Sequence, residues 1–305
     1  MNEHYPRIRI RVECGALMIR EALSINFYMR RSHEEVAPAI LRTLETYLRA
    51  LGGGPELLSW YSHEAGAWLT FDEASWEQTR HDLLNKHSTI LNLWDAEGGE
   101  KRYRFVYRGR SINAPLPWEN EADLVCAVSF WLPTEFLEEH GPGRVRELAL
   151  ELASLLPFCS GHAGLAFNCE MDVMGTPREV NKLCFRYPGM DIPDPSLLSF
   201  DIGTRVRGPA WLTFLGQPVL GELGGTAGLR SRLSSPGTTV LEMEGERAVV
   251  TLGRWPEAGD TERGDTLPAY RELARVLEPW LYQEQPRQGF PVDEIVRRWE
   301  RRFLD

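Results

Sequence analysis

Five residues, Ala67-Trp68-Leu69-Thr70-Phe71, recur unchanged as Ala210-Trp211-Leu212-Thr213-Phe214. Each copy follows a strand candidate and precedes a helix candidate and two further strand candidates. Identity at the same step of two element orders points to internal duplication. The fold class this predicts is α+β: two antiparallel-sheet half-domains with helices on one face, followed by C-terminal helices. Under duplication Trp68 and Trp211 occupy equivalent, buried positions.

The first half opens with strands over Ile8–Val12 and Ala22–Arg31, where Ile25, Phe27 and Met29 alternate with smaller or polar neighbours. A helix follows from about His33 to Leu51. Its inner face carries Val36, Ile40, Leu44, Tyr47, Leu48 and Leu51. Ser32 and Glu35 match a capping box, although Pro38 sits late for that start and favours a helix beginning one turn further on. Short strands near Leu57–Tyr61 and Gly66–Phe71 precede a helix after Asp72. Strands Thr89–Trp94 and Arg102–Tyr107 close the half.

The second half repeats the order. A strand at Val125–Trp131 leads to Gly141-Pro142-Gly143, which opens a helix bearing Val145, Leu148, Leu152 and Leu155. A strand at Gly164–Phe167 follows, then an insertion, the second Ala-Trp-Leu-Thr-Phe copy, and strands Thr238–Met243 and Arg247–Leu252. The tail reads as helices over about Pro268–Tyr282 and Val292–Phe303. The second carries Arg297, Arg298, Arg301 and Arg302, which suit a solvated helix end that complements the dipole, or a binding face. The expected domains are therefore a half-repeat over 1–110, a linker over 111–123, a half-repeat over 124–262 with an insertion at 169–200, and C-terminal helices over 263–305.

Charge narrows the functions open to such a chain. Lys+Arg 34 against Asp+Glu 44 gives a formal net charge of −10, which repels phosphate backbones and argues against direct nucleic-acid binding. The same surface attracts a basic partner, or simply keeps the protein soluble. No apolar stretch approaches the roughly 20 residues of a membrane helix. The charged stretch Met1 to Arg11 lacks the apolar middle of a signal peptide. Five cysteines, Cys14, Cys126, Cys159, Cys169 and Cys184, are odd in number and irregularly spaced, as in a reducing compartment. A cytoplasmic location without membrane association is expected; oligomeric state is not legible.

Catalytic patterns are sparse. Gly216–Gly228 is glycine-rich but lacks a following Gly-Lys-Ser/Thr, and no dinucleotide fingerprint occurs. Neither Ser160 nor Ser235 stands in a nucleophile elbow. Cys159 and His162, with Cys169 and Cys184 downstream, allow a zinc site to be drawn, but the spacing is not that of a zinc module. No cofactor, no metal and no catalytic residues are expected. The acidic group Glu119, Glu121 and Asp123 in the linker reads as a solvated surface or a recognition patch.

The run Arg186-Tyr187-Pro188-Gly189-Met190-Asp191-Ile192-Pro193-Asp194 is the least ordinary in the chain. Tyr-Pro-Gly sets a tight turn, with proline fixing one dihedral and glycine free at the next. The run lies in the insertion that breaks the repeat, where scaffold-held loops commonly carry function. Arg186, Tyr187, Asp191 and Asp194 are therefore candidate partner-binding residues, alongside the linker carboxylates. The alternative is that Arg186 and Asp191 merely tie the loop together.

Phe130-Trp131-Leu132-Pro133, Gly164-Leu165-Ala166-Phe167-Asn168 and the Arg-Tyr-Pro-Gly-Met-Asp-Ile run together resemble the type VI immunity family, a bacterial group formerly defined as a domain of unknown function. The resemblance spans about Arg20 to Leu281. It implies a non-enzymatic immunity protein that neutralises a cognate effector delivered by type VI secretion or a similar contact-dependent system. The implied effector is a nuclease of the VRR-Nuc type, inhibited by covering its active site, and an acidic surface suits a basic cleft. Rival readings are a hydrolase or a ligand-binding sensor that uses the cleft between the two halves.

Overall fold

The structure is a computed structural model that describes residues 4–13, 15–62, 68–95, 102–113, 115, 120–286 and 291–305, without the side chains of Ser62 and Trp68. The chain divides into two compact units, each discontinuous in sequence. A central unit comprises Ala22–Cys159 and Asp194–Thr204; a terminal unit comprises Met1–Glu21, Ser160–Pro193 and Arg205–Asp305.

In the central unit, β2 (Leu17–Met29) runs antiparallel to β7 (Cys126–Pro133) from Ala22 onward. The order then continues through β6 (Arg104–Gly109), β5 (Thr89–Trp94), β3 (Trp60–Ser62) and β4 (Trp68–Thr70). β7 is buried at all eight positions, as expected of a strand covered on both faces. Helices α1 (His33–Ala50), α2 (Glu73–Asn85) and α3 (Thr134–Leu155) pack together with this sheet. Val36, Ile40, Leu44, Tyr47 and Leu48 are buried along α1, as their spacing predicts.

One helix keeps its expected start despite a proline, and another starts earlier than expected. α1 starts at His33 and passes through Pro38. Pro38 is exposed, so water can reach the Glu34 carbonyl that loses its helical donor there. Glu35 Oε1 accepts from the Ser32 N–H at 3.1 Å, while Ser32 Oγ accepts instead from the Ile112 N–H at 3.0 Å. α3 begins at Thr134, ahead of the expected start, and kinks at Gly141, whose φ of 76° and ψ of 166° are not helical. Glycine alone takes that conformation without strain, and Pro142 then restarts the helix in the first turn, where a proline is tolerated.

In the terminal unit, β10 (Thr238–Met243), β11 (Arg247–Leu252), β9 (Leu212–Leu215) and β8 (Ser160–Cys169) form an antiparallel series. β1 (Arg9–Arg11) pairs with the first residues of β2. The insertion after β8 carries α4 (Thr176–Cys184) and α5 (Pro195–Asp201), the latter in the central unit. α6 (Val219–Glu222), α7 (Gly225–Ser231) and α8 (Pro268–Leu277) enclose an apolar core that includes Leu215, Leu223, Val250, Leu273 and Leu277. The last helix, α9 (Glu294–Glu300), buries Trp299, and Phe303 beyond it joins the same core.

The predicted α+β class, antiparallel pairing and C-terminal helices are all present. The duplication is not carried by the strand pairing. β4, with the first Ala-Trp-Leu-Thr-Phe copy, pairs with β3 and exposes Leu69 and Thr70. β9, with the second copy, lies between β8 and β11 and is buried throughout. Trp211 is fully buried; the Trp68 side chain lies outside the described residues. Among the described residues, no helix is long and apolar enough to cross a membrane.

Candidate functional site

The Arg186–Asp191 run leaves the end of α4 and crosses from the surface to the sheet. Tyr187 N–H donates to Leu183 O at 2.8 Å, and Met190 N–H closes the turn on Tyr187 O at 3.0 Å. Asp191 then bridges β8 in parallel: its N–H donates to Leu165 O at 2.8 Å, and Phe167 N–H donates to Asp191 O at 2.9 Å. Gly189 is required here by proximity and not by its dihedrals. A Cβ at that position would meet Glu257 O at 2.0 Å and Ala258 O at 2.9 Å. The Gly189 N–H donates to Ala258 O at 2.8 Å, which pins the turn to the 257–258 segment.

Beneath the turn lies a buried charge network. His162 Nε2 sits 2.9 Å from Asp191 Oδ2, and Arg207 Nε is 3.9 Å from Asp191 Oδ1. Arg207 Nη1 also reaches Glu300 Oε1 at 3.3 Å, and its guanidinium lies over the Trp299 ring at 4.8 Å. Arg302 donates through Nε to Pro188 O at 2.8 Å and stacks on Trp299 at 3.6 Å. Burial acts to raise the Asp191 pKa, but the His162 hydrogen bond, and then the charges of His162, Arg207 and Arg302, outweigh it and hold the carboxyl well below its usual range. Burial pushes the Arg302 guanidinium down to about 9, which leaves it protonated at neutral pH.

Arg186 does not pair with Asp191. Its Nε and Nη2 donate to Asp260 at 3.0 and 2.8 Å in a fork, and Nη1 reaches Glu262 at 2.7 Å. With Tyr187 it lines a cavity of about 510 Å³, together with His4, Arg7, Asp260, Arg263 and Asp265. His4 stacks on Trp255, the ring centroids 5.1 Å apart, and its Nδ1 lies 2.6 Å from Glu257.

The other expected site residues are dispersed among structural tasks. Asp194 caps α5, its Oδ1 accepting from the Leu197 N–H at 2.8 Å. Glu121 is exposed, and Asp123 is half-buried with its carboxylate bonded to the Asn120 side chain. Glu119 lies outside the described residues. Cys159 is half-buried and its N–H donates to Tyr28 O at 2.8 Å. Cys14 is outside the described residues. Among the described residues, no group of three or more His, Cys, Asp or Glu side chains is placed to hold a metal ion.

Sequence reasoning overlooked Arg7, Asp260, Arg263 and Asp265 around the cavity and Arg207 beneath the turn, while Arg302, read as part of a solvated helix end or a binding face, lies in the charge network. The run Asp260-Thr-Glu-Arg-Gly-Asp265 was the one local signal, four charges and a glycine in six residues. In the central unit, a second cavity of about 510 Å³ is lined by Glu56, Asp72 and Glu73 with Phe71 and Trp76. Hydrogen bonds from backbone N–H groups, its own and that of Gly54, hold Glu56 below the usual carboxylate range, and those of Ser75 do the same for Asp72.

Against this geometry the comparisons are specific. A family model described as TsiV, type VI immunity for VRR-NUC, matches residues 39–303. This chain belongs to the TsiV family. Its fold is that of a solved Pseudomonas aeruginosa T6SS protein, PA0821, with a TM-score of 0.77 and 19% sequence identity over 98% of this chain and 88% of the other. No curated protein matches the chain. The family expected from the Phe-Trp-Leu-Pro, Gly-Leu-Ala-Phe-Asn and Arg-Tyr-Pro-Gly runs is thus the one found, and with it the function of a type VI immunity protein.

Proposed function

We propose that this TsiV-family protein silences its VRR-NUC effector stoichiometrically, by docking over the effector's nucleic-acid cleft, and itself performs no catalysis. The observation that carries the reading is the family match over most of the chain. The net charge of −10 supports it, because a cleft that holds DNA is basic and an acidic partner competes for it. The cavity lined by Glu56, Asp72 and Glu73 together with Phe71 and Trp76 also supports it: carboxylates and aromatic rings around one cavity suit a guanidinium or ammonium group. The exposed linker carboxylate Glu121 and its half-buried neighbour Asp123 offer further negative charge.

The test is inhibition of the effector's DNA cleavage by the purified protein, with rescue of cells that express the effector. Inhibition should saturate at a fixed molar ratio and weaken as salt rises, since screening shortens exposed charge interactions to about 10 Å at about 0.1 M. Glu73→Lys, and a separate Glu119→Lys, Glu121→Lys, Asp123→Lys combination, should each slow association. Retained inhibition with unchanged salt dependence in both would remove the acidic-mimic mechanism. Asp191 and Asp194 are poor choices for charge reversal, because one sits in the buried network and the other caps α5.

A further inference from the structure

The cavity beside the Tyr-Pro-Gly turn differs from the rest of this acidic chain in what its walls leave unused. Arg186 is spent on Asp260 and Glu262, and Arg7 pairs with Glu21. Both oxygens of Asp260 accept from Arg186, Oδ1 accepts further from the Glu262 N–H at 3.1 Å, and Asp265 Oδ2 accepts from the Asp260 N–H at 2.8 Å. Two donors remain. Tyr187 is 9% exposed, and its hydroxyl makes no hydrogen bond among the described residues. Arg263 is exposed on the short turn Thr261–Arg263, and its guanidinium makes no ion pair among the described residues.

The Tyr187 hydroxyl opens on the cavity, so an occupant that takes it out of water must supply an acceptor. A basic side chain would place its charge beside Arg7, Arg186 and Arg263. An apolar one would leave the Tyr187 hydroxyl dry. A carboxylate satisfies the hydroxyl and the guanidinium at once. We infer that this cavity receives an aspartate or glutamate side chain presented by the effector, held by the Tyr187 hydroxyl and the Arg263 guanidinium. This rests on the reading that the protein docks on a VRR-NUC effector. The site is built in advance: the Asp260 cap fixes the turn that carries Arg263, and the Gly189 contact fixes Tyr187, so little freedom is lost on binding.

The experiment uses the full-length protein and the VRR-NUC effector of the same genome, with affinity read by calorimetry. Tyr187→Phe and Arg263→Gln should each weaken binding about tenfold, the scale of one hydrogen bond to a charged group. The double variant should lose less than the product of the two, because both act on one carboxylate. Arg263→Glu should bind worst of all, and an effector variant with one surface Asp or Glu changed to Lys should restore it. Unfolding midpoints of the Tyr187 and Arg263 variants should match the wild type, since neither side chain bonds elsewhere. Wild-type affinity in both single variants, with wild-type protein binding the effector, overturns the cavity assignment alone. Failure of the wild type to bind overturns the functional reading and this inference with it. Binding of inorganic phosphate or acetate that depends on Tyr187 and Arg263, while effector affinity does not, assigns the cavity to a free anion and also overturns it.

Discussion

Replacing Asp191 tests the claim that a buried charge network underpins the singled-out turn. Asp191 is 8% exposed, accepts from His162 at 2.9 Å and lies 3.9 Å from Arg207. Asp191→Ala leaves His162 without that acceptor and sets Arg207 and Arg302 together with Glu300 as the remaining carboxylate. Removing one member of a buried pair costs about 3–5 kcal/mol, most of it from the charge left behind. Asp191→Asn keeps an acceptor for His162 and should lose about 1.5–3 kcal/mol, the scale of a charged hydrogen bond. At about 2 °C per kcal/mol for a chain of this length, the alanine variant should melt about 6–10 °C lower. The pH dependence has a fixed sign. The folded pKa is depressed, so the unfolded chain binds the proton first and the stabilisation is complete above the ordinary value of 3.8. The gap between wild type and variant should therefore stay constant from neutral pH to about pH 5 and narrow as pH falls through and below 3.8. Urea denaturation followed by near-ultraviolet circular dichroism at several pH values measures both. A loss under about 1 kcal/mol, within the range of an ordinary surface substitution, or a gap still at full size at pH 3, would refute the reasoning.

Two further substitutions probe the packing around the sites. Gly189→Ala should destabilise by about 1–3 kcal/mol, because its Cβ meets two backbone carbonyls that cannot rotate away. Its loss of effector affinity should exceed that of Tyr187→Phe, since the turn itself is displaced. In the central unit, Tyr47→Phe removes a buried hydroxyl that donates to Trp131 O at 2.6 Å. The orphaned carbonyl should cost about 1–2 kcal/mol, read as a lower urea midpoint with an unchanged slope.

Local patterns in the sequence were largely sufficient for local structure. The strands Thr89–Trp94, Thr238–Met243 and Arg247–Leu252 occupy the predicted residues, because alternation and a turn glycine are written within a few positions. α1 begins where Ser32 and Glu35 place it, and the Pro38 objection fails only because that ring faces solvent, which no local rule reveals. Pairing order was not legible. β4 and β9 share five residues with their flanks, yet among the described residues one pairs with β3 and the other lies between β8 and β11. The neighbours of a strand are set by chain crossings far away in sequence. The same distance hid the site. Arg186 and Asp191 are five residues apart, and a local salt bridge was the natural alternative reading; each instead found partners 74 and 29 residues away. Arg302 was expected on a solvated helix end, but beside Trp299 and Phe303 it turns toward the Pro188 carbonyl.

The insertion therefore combines two roles that substitution can separate. Asp191 faces the interior, where His162 and Arg207 fix the strand bridge to β8, and changes there act on stability first. Tyr187 and Arg263 face the cavity without bonds to the scaffold, and changes there act on whatever enters it. Gly189 couples the two, since it is the residue at which the turn meets the 257–258 segment. If docking proceeds through the cavity, variants along this line should form a series: Tyr187→Phe loses affinity at constant stability, Gly189→Ala loses both, and Asp191→Asn loses stability with affinity retained in the fraction that stays folded. The order is dictated by which side chains already have partners. A different order, with affinity tracking stability in all three, would mean that the turn acts as scaffold alone and that the effector is held by another face.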